Sequence, residues 1–258
     1  MGATLMARST PALRALLVLV AVLVVWQFGG AAAHVPGYIL PLPSEIAARF
    51  WETREVQLHH LSFTALTTVI GLAAALATGV LLALAVIYVP TLKTIVMPAL
   101  AAFNSIPKIA VAPLFIIWFG LGIESKVVLA FLLGLFPIFV NSVTGLGEIE
   151  ADVLDLSRLA GGTQLRIFAK VRLMNALPYI TDALKVAFPL ALVGSIVGEF
   201  IGGNRGVGYL ILSAQFNLDT PLVFATLVSI TLFTTLGIGA VALVEAAFLN
   251  WRPSRRRR

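Results

Sequence analysis

The sequence predicts an all-α membrane protein with six transmembrane helices, and three observations carry that prediction. Of its 258 residues, 59% are hydrophobic and only 12% are charged, whereas soluble globular chains run about 45–50% apolar and about 25% charged. The uncharged residues fall in a few long runs, several of them near the ~20 residues a helix needs to cross a bilayer core. Lys and Arg, finally, crowd into alternate connecting segments. A mean hydropathy of +0.99 argues against a polyanion-binding surface, although the net charge is +6. The absence of Cys excludes disulfides, thiol catalysis and Cys-based metal sites.

Taken in order, the first span is read from Ala15 to Phe28 and the second from Leu61 to Val89. The third runs from Thr94 to Phe119, interrupted by Lys108 and two prolines, and the fourth from Val127 to Gly145. The fifth, Ala183 to Phe200, has its uncharged stretch between Lys185 and Glu199, and the sixth covers Pro221 to Val244. The chain thus divides into an N-terminal helix with a short start (1–33), an outer loop or interfacial segment (34–60) and a five-helix core (61–249). That core includes a long loop over 148–177, and a basic tail (250–258) follows it.

Lys and Arg are retained on the cytoplasmic side. With the N-terminus inside, the inner segments hold Arg8, Arg14, Lys93, Arg158, Arg166, Lys170, Arg172, Arg252 and Arg255 to Arg258. The outer segments hold only Arg49, Arg54, Lys126 and Arg205. Both termini are therefore expected in the cytoplasm. Arg8 and Arg14 ahead of a short apolar run and Ala31-Ala32-Ala33 also fit a cleaved signal peptide. A retained helix is preferred here, and either outcome leaves the tail inside. That tail suits anionic inner-leaflet lipids, which attract juxtamembrane basic residues.

The loop from Glu148 to Leu177 has helical order. Ile149, Val153, Leu156 and Leu159 or Ala160 fall on one helix face, with Glu148, Glu150 and Asp152 at the end where the dipole favours anions. Gly161-Gly162 stops this helix, and Leu165, Phe168 and Val171 or Arg172 begin a second short one. Helix, glycine corner and helix suit docking into another protein's groove. A DNA-binding helix-turn-helix has the same outline, but both ends of this segment are tethered to membrane spans. An amphipathic helix lying on the bilayer also fits the pattern.

These residues resemble the permease subunits of ATP-binding-cassette importers. That family carries Glu-Ala-Ala, three residues, Gly, nine residues, a branched aliphatic, one residue and Leu-Pro. Here Asp155-Leu156-Ser157, Gly161 and Val171-Arg172-Leu173-Met174 stand at the same spacing. Asp155 replaces Glu, while Leu156, Ser157 and Met174 depart from Ala, Ala and Pro. Further blocks look like the nitrate, sulfonate and taurine branch: Ile106-Pro107-Lys108 through Trp118-Phe119-Gly120-Leu121-Gly122, Asn175-Ala176-Leu177-Pro178-Tyr179-Ile180, Gly198-Glu199-Phe200-Ile201-Gly202-Gly203-Asn204, Gly206-Val207-Gly208-Tyr209-Leu210 and Ile39-Leu40-Pro41-Leu42-Pro43-Ser44. The resemblance covers about Pro36 to Leu249.

The resemblance implies a type I importer permease fold with a cytoplasmic coupling helix, in the inner (plasma) membrane of a bacterium. It implies a second copy of the permease as homodimer partner, two ATPase subunits, and a soluble or lipid-anchored substrate-binding protein, with no nucleic acid. The solute is expected to be an organic or inorganic anion such as sulfonate, taurine or nitrate. The ATPase-coupling residues are then Asp155, Leu156, Ser157, Arg158, Leu159, Gly161 and Gly162. The chain itself is expected to be no enzyme and to hold no cofactor, ATP and magnesium belonging to the partner ATPases. Consistently, it has no Gly-x-x-x-x-Gly-Lys-Ser/Thr phosphate loop, and Gly202 to Gly208 reads as a flexible outer turn.

Ionisable groups within spans tend to face a cavity, a partner or the path. Lys108, Lys185 and Glu199 are such groups; Asn104, Lys108 and Glu199 are the translocation-path or gate candidates, an anion-attracting role for Lys108 standing against a preferred structural or membrane-edge one, and pairing with Lys or capping of the turn being the other reading of Glu199. Gly71, Ala75, Gly79 and Ala83 recur every four positions on span two and predict close helix packing. Ser105-Ile106-Pro107-Lys108 contains the Ser-x-x-Lys of some hydrolases, but Pro107 distorts the turn. His34, His59 and His60 are placed outside the spans and suggest no metal cluster. The alternative class is an ATP-independent secondary transporter, which needs no docking helix and more often shows internal repeats; none is evident.

Overall fold

The structure is a computed structural model, and it describes residues 11–248; Arg8 and the basic tail from Arg252 lie outside that range. The described residues are almost entirely helical. Helix α1 is Pro11–Ala32, α2 Pro43–Glu52, α3 Arg54–Tyr88, α4 Pro90–Ser105, α5 Lys108–Phe119 and α6 Ile123–Gly147. Then come α7 (Ala151–Leu159), α8 (Gln164–Ile167), a π-helical turn at Phe168–Arg172, α9 (Leu173–Gly202), α10 (Val207–Phe216) and α11 (Thr220–Phe248). Among the described residues, five helical segments are long and apolar enough to cross a membrane, and α4 with α5 makes a sixth span when counted as one broken crossing. The predicted fold class is therefore present, with differences in detail that proline and capping explain.

The third span is bent by 95° between Ser105 and Lys108. Pro107 lacks a backbone donor and forces Ile106 out of the α region, and Ile106 is accordingly extended, with ψ 129°. The second span begins at Arg54 rather than Leu61, so His59 and His60 stand on its first turns instead of in a loop. His60 stacks on Tyr209 with ring centroids 5.7 Å apart. The second short helix of the long loop is not separate either: Gln164 to Gly202 runs on as one 39-residue helical segment.

The chain forms two compact units. One comprises, within the described range, 11–58 and 210–229. In it, Ser44 N donates to Gln27 Oε1 at 3.0 Å and Gln27 Nε2 donates to Ser44 Oγ at 3.1 Å, joining α1 to α2. Arg49 of α2 donates through Nε (3.0 Å) and Nη2 (2.5 Å) to Asp219 Oδ2, and Asp219 Oδ1 caps α11 by accepting from Leu222 N at 3.1 Å. The hydrogen bond to Asp219 raises the Arg49 pKa above its ordinary value. Gln57 Oε1 accepts from Ser229 Oγ at 2.5 Å. The segment read as an outer loop thus contains a whole amphipathic helix, α2, with Ile46 buried and Trp51 exposed.

The other unit, 59–209 with 230–248, holds the core. Helices α6 and α9 pack along their length, because small residues let their backbones approach. A Cβ at Gly194 would lie 2.5 Å from Leu129 O, and one at Gly145 would lie 2.9 Å from Ala176 Cα. The small-residue row of α3 serves the same end. Ala75 and Ala83 are fully buried, and a Cβ at Gly71 would lie 2.8 Å from Val127 O of α6. Phe139, Leu146, Ala176 and Ile180 form one buried cluster with Ala83 and Val86, while Leu135, Ile138, Ala183 and Ala187 form a second with Ala75.

Candidate functional site

The segment predicted to dock a partner is built on a glycine stop. Helix α7 opens at Glu150 with Asp152 in its first turn and closes with Arg158 in its last, both matching the dipole. Arg158 Nη1 donates to Asp155 Oδ1 at 2.9 Å, and Ser157 Oγ donates to Val153 O at 2.7 Å. At its end, Gly161 N donates to Arg158 O and Gly162 N to Ser157 O, each at 3.0 Å; this pair of bonds is the Schellman arrangement. The two glycines are required for different reasons. Gly161 has φ +75° and open space where a Cβ would stand, whereas a Cβ at Gly162 would lie 2.6 Å from Ser157 O.

No residue of α7 is buried. Leu156 is 69% exposed, Leu159 86% and, beyond the corner, Leu165 77%. Exposed apolar side chains on a helix whose end is capped are what an interaction site offers. Behind the corner, Thr163 Oγ1 accepts from Arg166 N at 3.4 Å and Ile167 is buried. The π-helical turn then joins the corner to α9, and Arg172 Nη1 donates to Leu146 O at 2.8 Å. Residues 155 to 162, which the resemblance implies are ATPase-coupling, therefore form one capped helix and corner.

The three path or gate candidates are not brought together into one site. Asn104 and Lys108 lie at the break of the third span, where Lys108 Nζ donates to Asn104 Oδ1 at 2.6 Å and to Asn104 O at 3.4 Å. That pair staples the corner from outside the α4 ladder. Lys108 makes no ion pair among the described residues. Ser105 Oγ donates to Ala101 O at 3.1 Å, so Ser105 and Lys108 use different partners and form no nucleophile–base pair. Lys185 is bound to carboxylates: it donates to Asp182 Oδ1 at 3.0 Å and also pairs with Glu245 of α11.

Glu199 is fully buried, and its carboxylate is an internal cap. Thr64 Oγ1 donates to its Oε1 at 2.8 Å, and Gly208 N donates to its Oε2 at 2.9 Å. Val207 N in turn donates to Thr64 Oγ1 at 2.9 Å. The first two amides of α10, which have no partner within that helix, are thus satisfied by an acid and a hydroxyl from two other helices. An acidic group there also complements the helix dipole. Gly206 sits at φ +99°, and a Cβ on it would strike the Glu199 carboxylate. Nearby, Lys126 Nζ donates to Leu121 O at 2.6 Å and Gly202 O at 2.9 Å. The Gly202 to Gly208 stretch is consequently a pinned turn into a helix, where sequence reasoning expected a flexible one.

Among the described residues, no cluster of His, Asp and Glu is arranged for a metal ion. Sequence reasoning missed the roles of Thr64 and Lys126; the only signal available for them was a polar or charged residue at the edge of an apolar run.

The model of the binding-protein-dependent transport system inner membrane component family matches residues 75–250. The formylaminopyrimidine transport permease protein ThiX of Halalkalibacterium halodurans is 35% identical over 248 residues, covering 96% of this chain and 99% of that one. A putative aliphatic sulfonates transport permease protein, SsuC of Bacillus subtilis, is 28% identical over 94% of this chain and 88% of its own length. In fold, the chain is similar to an inward-facing structure of the MetNI methionine ABC transporter, with a TM-score of 0.59 and 22% identity over 81% of this chain.

Proposed function

The chain belongs to the binding-protein-dependent transport system inner membrane component family, and we infer that within it the Asp155 to Gly162 corner is the contact through which a partner ATPase drives transport. It is the multi-pass inner-membrane permease component of an ATP-binding-cassette importer, of type I fold. The observation that carries the coupling role is the α7 corner: Leu156 and Leu159 are exposed on a helix fixed by two glycines. Two ATPases, a second copy of the permease and an external binding protein complete the assembly, with ATP and magnesium in the ATPases. Both termini face the cytoplasm, a reading that the Lys and Arg distribution supports when the first helix is retained. In the cycle, ATP-driven closure of the ATPases moves the α7 corner of each permease, and the spans rearrange around the path.

The solute is a small anion, such as a sulfonate, taurine or nitrate. Lys108 supports this, as a cation at the break of a span without a carboxylate partner among the described residues. A neutral or weakly basic aminopyrimidine is the second reading, favoured by the 35% identity to a formylaminopyrimidine permease over 99% of that protein.

The coupling role is tested by co-expressing the chain with its ATPase and capturing the complex from detergent. The native chain retains the ATPase, and Leu159→Glu loses it while still inserting. If the native chain never holds its ATPase, the corner is not the coupling element. Uptake into vesicles carrying the whole assembly, with taurine and formylaminopyrimidine as competitors, separates the two solute readings.

A further inference from the structure

A cavity of about 570 Å³ is lined by four elements: α3 at Val86 and Ile87, α4 at Lys93 and Met97, α6 and its C-cap from Val143 to Glu148, and the π-helical turn at Arg172. Its volume lies within the roughly 300–1,000 Å³ of small-ligand sites. Its lining is divided: Val86, Met97 and Val143 supply apolar wall, while Lys93, Arg172 and Glu148 supply charge. The two cations are free to bind. Lys93 makes no ion pair among the described residues. Arg172 spends Nη1 on Leu146 O at 2.8 Å, a bond that holds the guanidinium in place and leaves Nε and Nη2 without a protein partner among the described residues. Glu148, the one acid of the lining, leaves a net charge of one positive unit.

We propose that this cavity binds the phosphate of an anionic phospholipid headgroup from the cytoplasmic leaflet. A lysine supplies a point charge and a fixed arginine supplies paired donors, which together suit a phosphate monoanion. The apolar wall suits the glycerol and upper acyl carbons of the same molecule, which a free phosphate lacks. The leaflet follows from the sidedness given above, on which the inference rests, and the inner leaflet is the one rich in anionic lipid. The ligand reaches from α4 to the turn behind the α7 corner and ties the two together.

The test is native mass spectrometry of the full chain in detergent with phosphatidylglycerol, phosphatidylcholine or inorganic phosphate added. The background carries Arg255→Gln, Arg256→Gln, Arg257→Gln and Arg258→Gln, so that the tail does not supply the binding. One phosphatidylglycerol is expected to bind, with Lys93→Gln weakening it about fivefold, as for loss of one surface cation, Lys93→Arg restoring it and Glu148→Gln tightening it. Phosphatidylcholine should bind at least several-fold more weakly. Binding unmoved by Lys93→Gln and Glu148→Gln, or equal for phosphatidylcholine, overturns the site. Displacement of the lipid by equimolar inorganic phosphate overturns the lipid assignment. The leaflet has its own readout. The chain has no Cys, so Lys170→Cys gives one label site, and an impermeant maleimide should reach it from the cytoplasmic side only. Labelling from outside overturns the sidedness while leaving the phosphate measurement standing.

Discussion

Two glycine corners in this molecule solve opposite problems. At Gly161-Gly162 the chain fixes an apolar helix face and leaves it exposed; at Gly206 it fixes a carboxylate and buries it completely. Both use a glycine with positive φ and both cap a helix end. The first corner satisfies its backbone from within its own segment, through Gly161 N to Arg158 O and Gly162 N to Ser157 O. The second borrows Glu199 from α9 and Thr64 from α3. A corner capped locally is free to meet a partner, whereas one capped from a distance is locked into the core. Exposure of the chemistry expected to be hidden, and burial of the chemistry expected to be exposed, separates the surface corner from the scaffold.

The largest effect should come from Glu199→Ala. It leaves the Gly208 amide buried without its acceptor, at about 1–3 kcal/mol, and takes from the Thr64 hydroxyl its shorter acceptor, so the variant should accumulate poorly or melt well below the native chain in detergent. Glu199→Gln keeps one acceptor and should fall between the two; an unchanged melting temperature for Glu199→Ala would remove the contrast between the corners. Gly206→Ala places a methyl against that carboxylate at positive φ, and about 2 kcal/mol is expected from strain of this kind, read by the same melting curve.

At the other corner the effects on stability shrink while the effects on association grow. Gly161→Ala should cost about 1 kcal/mol for its positive φ alone, because nothing crowds its Cβ, yet it should reduce ATPase capture by tilting α7. Leu159→Ala should change stability by less than about 0.5 kcal/mol, as an exposed substitution, and still weaken the complex with the ATPase in a pull-down. A drop in melting temperature for Leu159→Ala comparable to that of Gly206→Ala would show that its side chain is buried in the free chain after all. Smallest of all, Arg49→Ala removes a half-exposed ion pair with Asp219, and such pairs contribute about 0–1 kcal/mol.

Much of this was legible in the sequence. Long apolar runs and charge asymmetry give the crossings, and the spacing from Ile149 to Ala160 gives α7, because both depend on neighbours within a few residues. The glycine stop at Gly161 was equally local. What escaped was whatever depends on distant partners. Glu199 reads as an isolated charge until Thr64, 135 positions earlier in the chain, is brought to 2.8 Å. Helix α2 was hidden because its ten residues mix Glu45, Arg49 and Glu52 with the apolar Ile46, Phe50 and Trp51, a pattern too short for hydropathy to register. The prolines at 107 and 113 were visible, but the 95° between α4 and α5 depends on the extended backbone that Ile106 takes beside Pro107, and a residue pattern gives the break without its angle.

The two corners also share a shaft. Gln164 to Gly202 is a single helical segment of 39 residues, roughly 58 Å at 1.5 Å per residue, beginning just past Gly162 and ending three residues after Glu199. Pro178 and Pro189 interrupt its ladder, and such positions are where a helix bends. Leverage follows from that length. With the buried cap as fulcrum, a rotation of about 5° swings the other end by roughly 5 Å, the height of one helical turn, and the prolines decide where along the shaft that stroke is lost.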